Sequence, residues 1–130
     1  MNHDVYDDDY IRRVLKEVKT IALVGASPNP ARPSHGVMSF LLSKGYSVFP
    51  VNPGQEGKEI LGRHVYAKLA DIPDPIDMVD VFRAAEFLPS IVEEVILLSP
   101  RPKFIWGQLS VRHDDAAAKA EAYGIEMVMD

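Results

Sequence analysis

The sequence predicts an α/β fold: a doubly wound parallel sheet of five strands with helices on both faces. Three observations carry that prediction. Short apolar runs alternate with amphipathic stretches five times along the chain. The first run, Thr20-Ile21-Ala22-Leu23-Val24, is followed by Gly25 and has the near-continuous apolar character of a strand buried on both faces. This strand, the helix after it and the next strand make a unit of about 30 residues, the length a parallel crossover needs. With 130 residues the chain has the length of one domain, and residues 1–130 are read as such.

The elements follow in order. Asp7 to Val18 is a helix with Ile11, Val14, Leu15 and Val18 in one stripe. Asp7, Asp8 and Asp9 at its start and Lys16 and Lys19 at its end suit the helix dipole, and the acidic run reads as a solvated cap. After the first strand, the loop Pro28-Asn29-Pro30-Ala31-Arg32-Pro33 is expected to be non-helical, because each proline removes a donor and restricts its predecessor. A helix runs from about Ser34 to Lys44, and Gly45 takes the left-handed position after it. Tyr46 to Val51 is the second strand, closed by Asn52-Pro53-Gly54. The stretch to Ala70 holds turns and one strand-like piece, His64-Val65-Tyr66. Asp77 to Phe82 is the third strand, with Arg83 at its end. Glu86 to Leu98 is a helix whose Pro89 sits in the first turn, where a missing N–H costs little. Lys103 to Gly107 is the fourth strand, His113 to Tyr123 an Ala-rich helix, and Ile125 to Met129 the fifth strand. A reversal of winding after three strands predicts the order 3-2-1-4-5.

Composition excludes several function classes. A net charge of −5 weighs against a nucleic-acid or membrane-surface partner, since both want a basic face. With no cysteine there is no thiol catalysis, disulfide scaffold or thiolate metal site. The start Met1-Asn2-His3-Asp4 carries no basic and apolar signal pattern, so a cytoplasmic location is expected. A homodimer through an exposed helix is compatible with a domain of this size.

In doubly wound sheets, ligands bind beyond the carboxyl ends of the strands. Here those ends carry Gly25 to Ser34, Val51 to Gly54, Phe82 to Ala84 and Trp106 to Gln108. The first turn, Gly25-Ala26-Ser27, opens a helix near Ser34, and free N–H groups at such a start can hold a pyrophosphate. The alternative is a plain connection that needs Gly25 only for its backbone angle. The turn departs from the dinucleotide fingerprint, with Ser27 and Pro30 at the second and third glycine positions. The second strand ends Val51-Asn52-Pro53, with no acid for a ribose diol. NAD and FAD are disfavoured on both counts, and the apolar ring of Pro53 suits an adenine or pantetheine wall.

Gly25-Ala26-Ser27, the loop through Arg32-Pro33-Ser34-His35, Pro50-Val51-Asn52-Pro53 and Asp77 to Arg83 together resemble the small stand-alone CoA-binding proteins of the YccU type. That family is similar to the N-terminal CoA-binding domain of the succinyl-CoA synthetase α subunit. The resemblance runs from about Ile11 to Asp130. It implies a Rossmann-like domain that holds coenzyme A or an acyl-CoA by its ADP moiety, with the pyrophosphate over Gly25 to Ser27. The site residues it implies are Gly25, Ala26, Ser27, Arg32, Ser34, His35, Asn52, Pro53, Lys58, Phe82 and Arg83. The synthetase reacts through a phosphohistidine in a second domain, which has no counterpart here. Its lysine two residues after the matching proline is Gln55 here, which leaves Arg32 or Lys58 for the 3′-phosphate. The family also usually continues past the final strand with an Arg-Cys-Pro segment, whereas this sequence ends at Asp130.

Other candidates keep two readings. His35 either donates to a phosphate or is a neutral polar residue in the first helical turn. Arg83 either meets a phosphate or bridges to Glu86. Trp106 is a core residue or a stacking platform. His64 and His113 lack metal-ligand spacing, and Asp77 and Asp80, three apart on a strand, face opposite ways. The chain therefore reads as a non-catalytic binding, carrier or regulatory module. The alternatives are a ligase- or transferase-like subunit with a separate catalytic partner, and an NAD-type nucleotide module.

Overall fold

The computed structural model describes residues 3, 6–108 and 111–129. Met1, Asn2, Asp4 and Asp130 lie outside the described residues. Five strands form one parallel sheet: β1 (Thr20–Val24), β2 (Ser47–Val51), β5 (Met78–Val81), β6 (Phe104–Gly107) and β7 (Glu126–Met129). Strands β3 (Glu59–Ile60) and β4 (Arg63–His64) make a separate short hairpin. Helices α1 (Asp8–Glu17) and α2 (Pro33–Ser43) cover one face, over Ile21, Leu23, Val48, Met78 and Phe104. Helices α3 (Leu88–Ile96) and α4 (Asp114–Ala122) cover the other, over Ala22, Val79, Val81, Ile105 and Met127. The doubly wound α/β architecture expected from the sequence is present.

The strand order is not the expected one. The sheet runs β2-β1-β5-β6-β7, so the third main strand lies beside the first rather than outside the second. The reason is at Pro50. The carbonyls of Val48 and Pro50 face away from β1 and accept from Arg63 Nε and the Tyr66 N–H, both at 3.0 Å. Pro50 has no N–H to offer on that side, so β2 cannot serve as an interior strand there. Arg63 and Tyr66 satisfy the edge instead, and Tyr66 makes a parallel bridge with Val51. At the far edge, the Tyr6 hydroxyl accepts from the Met129 N–H at 2.8 Å.

Local chemistry sets the helix limits. The Asp7 carboxylate accepts from the Asp9 N–H and caps α1. His113 caps α4 through Nδ1, which accepts from the Ala116 N–H at 3.1 Å. Helix α2 begins at Pro33, one residue before the expected start, because a proline at the first helical position sacrifices no hydrogen bond. A 3₁₀ turn, Ala85–Phe87, precedes α3 where one continuous helix was expected. Asp77, just ahead of β5, accepts from the N–H groups of Lys19 and Thr20 and ties the amino ends of β5 and β1 together. No helix among the described residues is long and apolar enough to cross a membrane.

Candidate functional site

The carboxyl ends of β1, β2 and β5 meet the start of α2 around a cavity of about 330 Å³. Its wall contains seven of the residues implied by the sequence: Gly25, Ala26, Ser27, Arg32, Ser34, Asn52 and Phe82. Pro33 completes it. The structure does not bring His35, Pro53, Lys58 or Arg83 into this wall. His35 is half-buried on α2, and its N–H bonds the Arg32 carbonyl. Pro53 starts a 3₁₀ turn, and it and Lys58 are exposed.

Gly25 is required twice over. Its φ is +88°, and a Cβ there would stand 3.0 Å from the Phe82 carbonyl carbon and oxygen. The turn thus rests directly on the end of β5. The N–H groups of Gly25 and Ala26 both donate to the Val51 carbonyl, at 3.0 and 3.3 Å, and are engaged within the protein. Those of Ser27 and Ser34 have no acceptor among the described residues, which moves the donors for an anion one step along the loop and onto the helix. Helix α2 has no side-chain cap, so the positive end of its dipole opens into the cavity.

Asn52 has a holding role. Its Nδ2 donates to the Ala26 carbonyl at 2.7 Å, and its Oδ1 accepts from the Gly54 N–H at 2.9 Å. Its amide therefore pins the first loop to the end of β2. Within the loop, the Ser27 hydroxyl accepts from the Asn29 N–H, and Asn29 Oδ1 accepts from the Ala31 N–H.

Two guanidinium groups flank the cavity. Arg32 lies on its wall. Arg83 takes neither role foreseen for it in the protein alone: it stacks on the Phe87 ring, 4.2 Å from the centroid, with no ion pair to Glu86. Its Cδ lies 3.3 Å from the Cβ position at Gly25, which sets the cation beside the turn.

Sequence reasoning weighed Asp80 only as half of a pair with Asp77. It sits on the α1–α2 face between Leu23 and Trp106 and is 1% exposed. Burial raises its pKa to about 7, and the polar side chain of Gln108 nearby works the other way. An acid inside Met78-Val79-Asp80-Val81-Phe82 was the available signal. No cluster of residues suited to a metal occurs among the described residues.

A sequence model described as "CoA binding domain" matches residues 19–130. The chain belongs to the CoA-binding domain family. The proteins similar to it differ in length. The Bacillus subtilis (strain 168) protein YneT, described as uncharacterized, is 38% identical over 120 residues, 92% of this chain and 86% of its own. The α subunit of an ADP-forming acetate–CoA ligase I of Pyrococcus furiosus is 36% identical over 80 residues. That match takes in 58% of this chain but only 17% of the ligase subunit. Among solved structures, a hypothetical protein from Pyrococcus horikoshii OT3 superposes with a TM-score of 0.90 at 40% identity. That superposition covers 100% of this chain and 89% of the other.

Proposed function

We propose that the protein binds coenzyme A or an acyl-CoA through the ADP moiety, and that the chain itself does no chemistry. The observation that carries the reading is the uncapped start of α2, opening with Ser27 and Ser34 onto the cavity under the Gly25 turn. A pyrophosphate there meets two N–H donors, the helix dipole and the Arg83 cation. In this reading Arg32, on the cavity wall, takes the 3′-phosphate. The missing acid at the end of β2 and the engaged Asn52 amide leave no partner for the ribose diol of NAD at that point.

Thermal shift tests this. CoA and acyl-CoA are expected to rank above NAD, FAD and ATP, with about 2.7 kcal/mol of stabilisation at a hundred times the dissociation constant. An equal shift by NAD sinks the reading. The non-catalytic role predicts that acyl-CoA incubated with the protein releases thiol no faster than in buffer.

The likeness to 80 residues of a ligase α subunit supports a second reading, a subunit that works with a separate catalytic partner. A stable partner in a pull-down, together with turnover seen only in its presence, would favour it.

A further inference from the structure

Beneath the cleft lies a small polar cluster with no role in the reading above. Asp80 Oδ1 and Trp106 Nε1 are both buried without a hydrogen-bond partner. They stand on paired positions of β5 and β6, on the same face of the sheet. One is an acceptor and the other a donor, so the pair is complementary but unjoined. Gln108 stands near the Asp80 carboxyl, and its backbone N–H donates to the Val81 carbonyl at 3.0 Å. Phe82, two residues beyond Asp80, carries the Gly25 turn and lines the cavity.

We propose that Asp80 makes ligand binding at this cleft proton-linked, its neutral form accepting an anionic ligand and its ionised form opposing one. The inference rests on the reading of the cleft as a CoA site. Asp80 is about 7 Å along β5 from Phe82, which puts its carboxyl on the order of 10 Å from an anion over the turn. At that range, with an effective dielectric of about 20, one buried negative charge weakens an anion about tenfold for each unit of its charge.

No counter-charge offsets it. The neighbours of Asp80 on β1 and β6 are Leu23 and Trp106, and α1 and α2 contribute Val14 and Met38 to this layer. Tyr10 is the titratable group of α1 in the layer, and it faces Glu126 and Arg13. Arg32 lies on the cleft wall, Arg83 beside its turn, and His35 on α2 outside the wall. None of these bears on Asp80, whose ionisation is set by burial and Gln108. The anion and the carboxylate compete, so binding raises the proton affinity of Asp80 and takes up a proton near neutrality.

The test is calorimetric titration of CoA at about pH 6 and about pH 8.5, either side of the expected midpoint, on the wild type and Asp80→Asn. Charge changes elsewhere, on CoA included, are common to both proteins, so the difference isolates Asp80. The wild type is expected to lose at least about tenfold more affinity than the variant over this range. Equal pH profiles overturn the proposal while leaving the CoA site intact. No CoA binding at any pH overturns the site reading, and the linkage with it. A second measurement needs no variant. Trp106 is the one tryptophan of the sequence, and its fluorescence reports the neighbouring carboxyl. The midpoint of its pH titration is expected to rise by about one unit with saturating CoA. An unmoved midpoint overturns the linkage.

Discussion

Two cavities of nearly equal size sit at opposite ends of the sheet. The one at the carboxyl end is about 330 Å³ and the one at the amino end about 340 Å³. The amino-end groove is lined by Leu69, Ile72, Pro73, Pro75, Leu97 and Pro100, just ahead of β5 and β6. Its prolines offer no N–H, and the helix that reaches it, α3, arrives with its carboxyl end. The carboxyl-end cleft receives the start of α2 and two open N–H groups, with Arg32 on its wall and Arg83 beside its turn. Volume does not separate these cavities. Helix direction does, because it decides whether the backbone presents donors or acceptors to a ligand.

The largest effect expected at the carboxyl end concerns stability against pH. Burial lifts the Asp80 pKa from 3.8 to about 7, so the folded state holds this proton more tightly than the unfolded one. The resulting stability is fully present below the unfolded value and is lost as pH rises through the folded value. At 1.36 kcal/mol per unit, this amounts to about 4 kcal/mol. Denaturant titrations from about pH 4 to about pH 8 should show this decline in the wild type and a much flatter profile in Asp80→Asn. A matching decline in the variant would remove Asp80 as its source.

Gly25→Val comes next. A β-branched residue at φ +88°, pressed on the Phe82 carbonyl, should cost roughly 2–3 kcal/mol and abolish CoA binding. Retained CoA affinity would move the ligand away from this turn. Ser27→Asp is milder, since it places a carboxylate against the anion site without straining the backbone. CoA should weaken by at least about tenfold while the far-UV circular dichroism stays native. The smallest effect belongs to the other cavity. Leu97 is 83% exposed, so Leu97→Lys should leave stability within about 0.5 kcal/mol and CoA affinity unchanged. Loss of CoA binding in that variant would reverse the comparison.

The cleft was legible in part. Gly25 and the apolar run before it mark a strand-to-turn junction in any sequence, because few residues other than glycine tolerate that φ. Arg32, Ser34 and Phe82 could be placed near it from strand ends alone. That the N–H groups of Gly25 and Ala26 are engaged with Val51 could not be read, since it depends on how far β2 extends alongside β1. Arg83 could be placed at a strand end, but its stacking on Phe87 depends on the 3₁₀ turn that carries the ring.

Local patterns by themselves determined the α/β class, the five main strands and the position of the phosphate-type turn. Each is written in period, apolar run or backbone permissiveness within a few residues. The strand order, the engagement of the Gly25 and Ala26 N–H groups and the raised pKa of Asp80 came from tertiary structure. Pro50 carried the information for the order, but a missing N–H excludes a neighbour only once it is known which side of β2 is already paired. Asp80 is an ordinary carboxyl until Leu23, Trp106 and two helices exclude water from it, and only then does burial outweigh ionisation.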